Sequence, residues 1–347
     1  MRVQIHIRAE KLKNIARGQW RGKRSSPYCK VVSLSTTTEN TTNSNSNNNQ
    51  TTFIGQTEVL HSNLNPQFAT SFIVDHDETQ GWTHLRISIY DCRQSIRNRG
   101  SNEQQSSSSL NLLRGTVLPP LHIQNHHHRG DDGGINNINS YCSDTDPKMG
   151  EVDIEIGNIL QQQSNNNGQE TEIKLQQQGG SGSIFIHVAK SIQGQTAGIL
   201  DCQIRGLDIK NIESGLLGLG AVDPYYVISK KYNDVTSGSS RWYVVYRSEH
   251  IHNIINQYWK GFKLDLERFC NNDMNKEIKI AIYDQEDYGS DRWLGEVETT
   301  LAEMLESVAK RGNADRESAL RAVAVEDVGK DDLRALLVIL RADVIHA

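Results

Sequence analysis

Pro27-Tyr28-Cys29-Lys30-Val31-Val32 returns as Pro224-Tyr225-Tyr226-Val227-Ile228, and Leu85-Arg86-Ile87-Ser88-Ile89-Tyr90-Asp91 returns as Ile278-Lys279-Ile280-Ala281-Ile282-Tyr283-Asp284. Met149-Gly150-Glu151-Val152 then returns as Leu294-Gly295-Glu296-Val297. Three matched pairs in the same order mark a duplicated domain, and internal repetition decides architecture ahead of any single motif. The length of 347 residues agrees, since two domains of about 150 residues each bury a core of their own. The halves divide as 1–192 and 196–347.

Alternation of apolar and polar residues dominates both halves. In the first, the β-rich runs are 2–8, 27–34, 53–60, 67–74, 85–90, 151–156, 172–175 and 183–188. In the second they are 199–205, 224–230, 241–247, 259–266, 278–283, 296–300, 321–325 and 334–341, with one helical stretch from Leu301 to Ala309. Many short strands with few helices describe an all-β chain of two tandem eight-stranded antiparallel β-sandwiches, with loops gathered at the ends of the sheets. Function is then expected where strands end. The mean hydropathy of −0.58 comes largely from three polar tracts in the first half, at about 35–52, 93–145 and 161–180. Such composition buries too little apolar surface to order itself, so these are expected to be long low-complexity loop insertions.

Composition also excludes. Five cysteines (Cys29, Cys92, Cys142, Cys202, Cys270) without Cys-x-x-Cys spacing argue against a disulfide framework or a zinc site and fit a reducing compartment. The alternating run begins at Val3, leaving no room for a signal peptide, and no window approaches eighteen apolar residues. A cytoplasmic chain without a membrane span is expected. Residues 1–192 carry 18 Lys+Arg against 17 Asp+Glu, and the remainder 19 against 25, so neither half has the basic excess of a nucleic-acid binder. His126-His127-His128 with Asp131 and Asp132 lies in an insert, without helical spacing, and reads as adventitious. Gly180-Ser181-Gly182-Ser183 lacks the spacing and context of a nucleophile elbow, and no Gly-rich loop ends in Lys-Ser/Thr. No catalytic constellation is present, so the chain is read as a non-enzyme.

An ordered set of motifs carries a family resemblance. It comprises Ser-Pro-Tyr (Ser26 to Tyr28), Asp-Pro-Tyr (Asp223 to Tyr225), Thr57-Glu58-Val59-Leu60, Asn63-Leu64-Asn65-Pro66-Gln67-Phe68, Trp259-Lys260-Gly261-Phe262-Lys263-Leu264, Phe269-Cys270-Asn271-Asn272-Asp273-Met274 and the Tyr-Asp endings. Both halves resemble C2 domains, the calcium- and phospholipid-binding sandwiches, and the pair resembles the N-terminal tandem of C2 domains in the copines. The resemblance implies the permuted, type II topology, with each half closed by an extra strand (183–188 and 334–341). The von Willebrand A-like domain of the copines has no counterpart in these 347 residues, so no role of that domain is carried over.

In this family calcium binds through five acidic loop positions, because Ca²⁺ takes six to eight hard oxygens. In the second half the five read Leu217, Asp223, Asp284, Glu286 and Arg292, with Asp291 one place out of register. Asp223, Asp284, Glu286 and Asp291 are therefore weak calcium candidates. An arginine at the last position opposes a divalent ion, and acidic turn residues that merely cap loops are the alternative. In the first half the five read Trp20, Ser26, Asp91, Arg93 and Pro147. One carboxylate is left, and calcium is not expected there.

The loops of the first half are instead cationic. Lys13, Arg17, Arg21, Lys23 and Arg24 lie in the first, and Arg93, Arg97 and Arg99 in the later one. Each such charge is worth about 1 kcal/mol near an anionic leaflet, with Trp20 as an interfacial anchor. A solvated basic loop is the alternative. In the second half Leu216, Leu217 and Leu219 stand among glycines where a loop tip belongs. They are candidates to insert into lipid, or else fold back onto the sandwich. Arg17, Trp20, Arg21, Lys23, Arg24, Arg93, Arg97, Arg99 and the three leucines are thus the lipid-contact candidates. The reading is a peripheral adaptor for anionic phospholipid, mostly calcium-independent, on the cytoplasmic side of the plasma membrane or endomembranes. A copine-like calcium-dependent lipid binder and a protein-interaction scaffold without lipid are the rivals.

Overall fold

The computed structural model describes residues 1–16, 24–36, 49–76, 83–93, 145–176, 182–190, 198–211, 222–233, 240–252, 255–286, 291–311, 316, 318–327 and 330–346. The first half holds β1 (Arg2–Glu10), β2 (Pro27–Thr36), β3 (Asn49–Gln56), β4 (Phe72–Asp75), β5 (His84–Asp91), β6 (Lys148–Glu155), α1 (Ile156–Asn165), β7 (Thr171–Lys174) and β8 (Ser183–Lys190). The second holds β9 (Ile199–Leu207), β10 (Pro224–Asn233), β11 (Ser240–Arg247), β12 (Gln257–Tyr258), β13 (Phe262–Asp265), α2 (Leu266–Cys270), β14 (Ile278–Asp284), β15 (Arg292–Thr299), α3 (Leu301–Lys310), β16 (Leu320–Asp327) and β17 (Lys330–Ile345).

Each half is an antiparallel sandwich. In the first unit the sheets run β4-β1-β8-β7 and β3-β2-β5-β6. In the second, β11-β10-β14-β15 repeats the latter order, and β13-β9-β17-β16 repeats the former. The two sheets of the second unit join at one pair, Glu296 with Val323. First and last strands lie side by side in both units (β1 with β8, β9 with β17), as the type II topology requires.

The repeated motifs mark structural equivalents down to their irregularities. Register shifts fall at Val31/Val32 and Ile228/Ser229, and again at Ile89/Tyr90 and Ile282/Tyr283. Bulges of this kind aim side chains at strand ends. The repeated Gly-Glu step also has a steric reason. A Cβ on Gly150 would lie 2.8 Å from Leu175 Cβ, and one on Gly295 3.0 Å from Arg334 Cβ, where the sheets approach each other.

The cores follow the alternation. Val3, Ile5 and Ile7, with Ile186 beside them on β8, pack in one core with Ile87 and Ile89 of the opposite sheet. In the second, Trp259 meets Tyr226 edge-on at 4.8 Å among Ile204, Ile280 and Ile282. Helix α3 begins on a reciprocal capping box between Thr300 and Glu303.

Three local departures stand out. The run at 67–74 is a strand only from Phe72, because Glu58 accepts hydrogen bonds from the Ala69 and Thr70 amides and holds the preceding segment as a turn. The run at 259–266 breaks into β13 and the short helix α2. The Gln-rich tract at 161–180 contains the end of α1 and all of β7. Its Gln163 is buried and accepts a 3.0 Å hydrogen bond from the Val188 amide. Composition hid a residue that works as an internal acceptor.

Strands β1 and β10 are buried on both faces. The interior of β1 from Val3 to Ile7 and of β10 from Pro224 to Lys230 is buried throughout. On β1 one face packs its own core and Gln4, His6 and Arg8 turn to the second unit, whereas the β10–β11 hairpin meets the first unit from both faces, through Tyr225, Val227 and Val244 on one and Lys230, Tyr232 and Tyr243 on the other. Ala69 lies against Tyr225, Val227 and Val244, His6 and His187 lie against Tyr232 and Tyr243, and Glu170 bonds both Arg8 and Arg241. At one edge Lys230, with no exposed surface, donates to Gln4 Oε1 (2.9 Å) of the first unit, and to Arg268 O (2.9 Å) and Asn271 Oδ1 (2.6 Å) of its own. Lys230→Met should therefore lower global stability by about 3 kcal/mol, measured by urea denaturation, since several buried oxygens lose a charged donor while side-chain volume is kept.

Candidate functional site

The loops of interest leave the ends of β1, β2, β5 and β6 in the first unit and of β9, β10, β14 and β15 in the second. Both units build the same frame there. Asp284 Oδ1 accepts the Asp223 amide at 2.7 Å, and Asp91 Oδ1 accepts the Ser26 amide at 2.7 Å. Tyr225 Oη donates to Asp291 Oδ2 at 2.7 Å, and Tyr28 Oη donates to Asp146 Oδ2 at 3.2 Å. The Glu286 amide donates to Asp291 Oδ1 (3.1 Å), and the Arg93 amide donates to Asp146 Oδ1 (3.3 Å). The repeated Pro-Tyr is thereby explained: its tyrosine ties one loop to the carboxylate of the other.

Asp146 is the residue that sequence reasoning missed. Counting back three places from Gly150 gives Pro147, whereas the carboxylate stands four back, as Asp291 stands four back from Gly295. The shared displacement was a signal available in the repeat. The first unit thus keeps two loop carboxylates, Asp91 and Asp146, both buried. Burial raises the pKa of Asp91, opposed by the Ser26 amide and the charge of Arg93.

In the second unit Arg292 enters the carboxylate cluster. Its Nη2 donates to Asp284 Oδ2 at 2.8 Å, and its Nε pairs with Glu286 Oε1. Asp284 is 2% exposed, so its charge is held away from water against a guanidinium. Asp223 Oδ2 lies 2.7 Å from His252 Nδ1. Asp223, Asp284, Glu286 and Asp291 each face a donor of the protein. Among the described residues no three His, Cys, Asp or Glu side chains are grouped to hold a metal ion.

Of the lipid-contact candidates, Arg24 is exposed at the end of the first loop and Arg93 is partly buried beside Asp91 and Asp146. Arg17, Trp20, Arg21, Lys23, Arg97, Arg99, Leu216, Leu217 and Leu219 lie outside the described residues, as does the His126–His128 cluster. Among the described residues no helix is long and apolar enough to cross a membrane.

The geometry makes a direct prediction about the internal cation. Replacing Arg292 with Asp removes the guanidinium and returns the fifth carboxylate, so Ca²⁺ should raise the melting temperature of R292D while leaving the wild type unchanged. Without calcium the variant should be less stable by about 3 kcal/mol, because Asp284 stays buried without its partner. Calorimetric unfolding with Ca²⁺ and with EGTA reads both effects.

A family model of the C2 domain matches residues 2–103 and 201–316, one region in each sandwich. Among solved structures, the chain is similar to BON1-C2B at 16% identity, covering 44% of this chain and 94% of that one, with a TM-score of 0.35. It is also similar to the tandem pair of C2 domains, A and B, of Extended-Synaptotagmin 2 at 12% identity, covering 100% of this chain and 92% of that one, with a TM-score of 0.27. The first of the C2 domains, domain A, of plant Extended Synaptotagmin 1 matches at 18% identity over 44% of this chain and all of that one, with a TM-score of 0.29. The two matched regions span more than half of the residues, each falls on one of the two sandwiches, and the chain belongs to the C2 domain family.

Proposed function

We propose that this protein is a peripheral adaptor of the copine-like kind that docks on anionic phospholipid largely without calcium. The observation that carries the reading is Arg292, paired with Asp284 and Glu286 where a divalent ion would otherwise neutralise the carboxylates. A guanidinium in that place gives the loops their charge balance at any calcium concentration. In the first unit the charge of Arg93 acts on Asp91, and its backbone amide donates to Asp146. The basic residues Arg17, Arg21, Lys23, Arg24, Arg97 and Arg99 would then add a net positive field around Trp20, and Leu216, Leu217 and Leu219 an apolar contact. Two weak contacts on one chain reinforce each other through effective concentration, which gives the duplication a purpose. The proposed role is binding, not catalysis, at the cytoplasmic face of the plasma membrane or of endomembranes.

Two measurements test it. Co-sedimentation with phosphatidylserine vesicles should be mostly retained in EGTA and should fall steeply from low to physiological salt, where the Debye length is about 8 Å. Loss of binding on chelation would favour a calcium-dependent protein instead. Replacing Arg21, Lys23 and Arg24 together with Ser should weaken vesicle binding by about 3 kcal/mol, at ~1 kcal/mol per charge. Unchanged affinity in that variant would make the loop a solvated turn.

A further inference from the structure

His6 on β1 and His187 on β8 are directly paired across the sheet, so both project from the outer face of the first unit. That face is the one covered by the β10–β11 hairpin. His187 stacks on Tyr243 with centroids 4.4 Å apart and meets Tyr232 edge-on at 4.8 Å. His6 lies 5.0 Å from Tyr243 and 6.2 Å from His187. The imidazoles are only 5% and 7% exposed, and His6 Nε2 has no hydrogen-bond partner.

The charges around this pair are mostly positive. From the hairpin come Lys230 and Arg241, with the neutral hydroxyls of Tyr232 and Tyr243; from the first unit's own sheet comes Arg8. The nearby carboxylate, Glu170, already bonds Arg8 and Arg241. Lys276 lies 5.4 Å from the Tyr232 ring centroid, and Arg2, Glu267 and Arg268 border the Lys230 end. A neutral imidazole fits such a place, whereas an imidazolium would be desolvated beside like charge. A groove of about 390 Å³ between the units, lined in part by His6, Arg8, Glu170 and Arg241, gives protons a route to the pair.

We propose that His6 and His187 make the docking of the two C2 units acid-labile: neutral imidazoles close the interface, and protonation on acidification opens it. This rests on the interface and holds whether or not the protein binds lipid. Burial, then Lys230 and His187, hold the His6 pKa well below its ordinary 6.5. Undocking would expose the outer face of β1 and return His6 to that ordinary value. Above about pH 6.5 both forms are then neutral and His6 contributes no pH dependence. Below it the undocked form binds the proton first, and each further pH unit multiplies the undocked-to-docked ratio by up to about tenfold per proton taken up. Lys230 acts in the same direction but in a higher window. Burial lowers its pKa from 10.5 to about 7, so its effect grows as pH falls towards 7 and is constant below. The His6→Phe/His187→Phe variant separates the contribution of the imidazoles from that of Lys230.

Small-angle scattering of the full chain at pH 7.5 and 5.5 tests this, with far-UV circular dichroism to separate undocking from unfolding. The wild type should expand reversibly at pH 5.5 with its strand signal intact, while the His6→Phe/His187→Phe variant should stay compact. An unchanged radius of gyration in the wild type would overturn the proposal, as would loss of strand signal with the expansion, or equal expansion of the variant. Should the variant fail to dock at pH 7.5, NMR titration of the twelve histidines in the wild type decides the matter. At least one imidazole should titrate well below 6.5, in step with the expansion, whereas all twelve titrating near 6.5 would overturn it.

Discussion

A lysine with no surface in water must be met by oxygen, and Lys230 finds its acceptors on two different units. Gln4 comes from the first sandwich, while Asn271 and the Arg268 carbonyl come from the second. Burial lowers the Lys230 pKa to about 7, so the hydrogen bonds of its amine tie the two units together while the cost of burying its charge works against their docking. The remaining contacts follow from that placement. With Gln4 fixed against Lys230, the alternate residues His6 and Arg8 fall onto Tyr243 and towards Glu170 and Arg241. The tandem repeat is thus more than two beads on a string. A polar strip on the first unit's sheet, which in isolation would face water, has become the wall of an interface.

The same rule governs the loops. A carboxylate that is 2% exposed has to be matched by a positive group or by several hydrogen-bond donors. In the second unit Asp284 receives both, from Arg292 and from the Asp223 amide. In the first unit Asp91 and Asp146 take their donors from the Ser26 and Arg93 amides and from Tyr28. Two solutions to one electrostatic problem sit in equivalent frames. The residue two places after the Tyr-Asp pair is a carboxylate in one unit, Glu286, and a cation in the other, Arg93. A permanent positive charge, unlike a bound metal ion, is present at any calcium concentration. The apolar frame beneath, with paired bulges and paired Gly-Glu steps, is indifferent to which solution is used.

Much of this was legible in the chain. The duplicated Pro-Tyr, Tyr-Asp and Gly-Glu elements, with period-two alternation between them, determined two antiparallel sandwiches, because a strand's apolar face has to be buried every second residue. The candidate carboxylates and the intruding Arg292 could be read as well, since their spacing is local to each loop. Asp146 was missed by counting three places back from Gly150, although the shared four-place spacing from Gly150 and Gly295 was there to be read, and the structure made it evident through Tyr28. The helix and strand inside the Gln-rich tract were hidden for a related reason: composition reports average polarity, whereas Gln163 is buried because one amide of β8 needs an acceptor. Only the tertiary structure decided that β1 and β10 are covered on both faces, that Lys230 is an interior residue and that His6 meets Tyr243. Those facts depend on how two folded surfaces meet. Periodicity records which face of a strand is apolar, but it carries no information about which polar face will later find a partner.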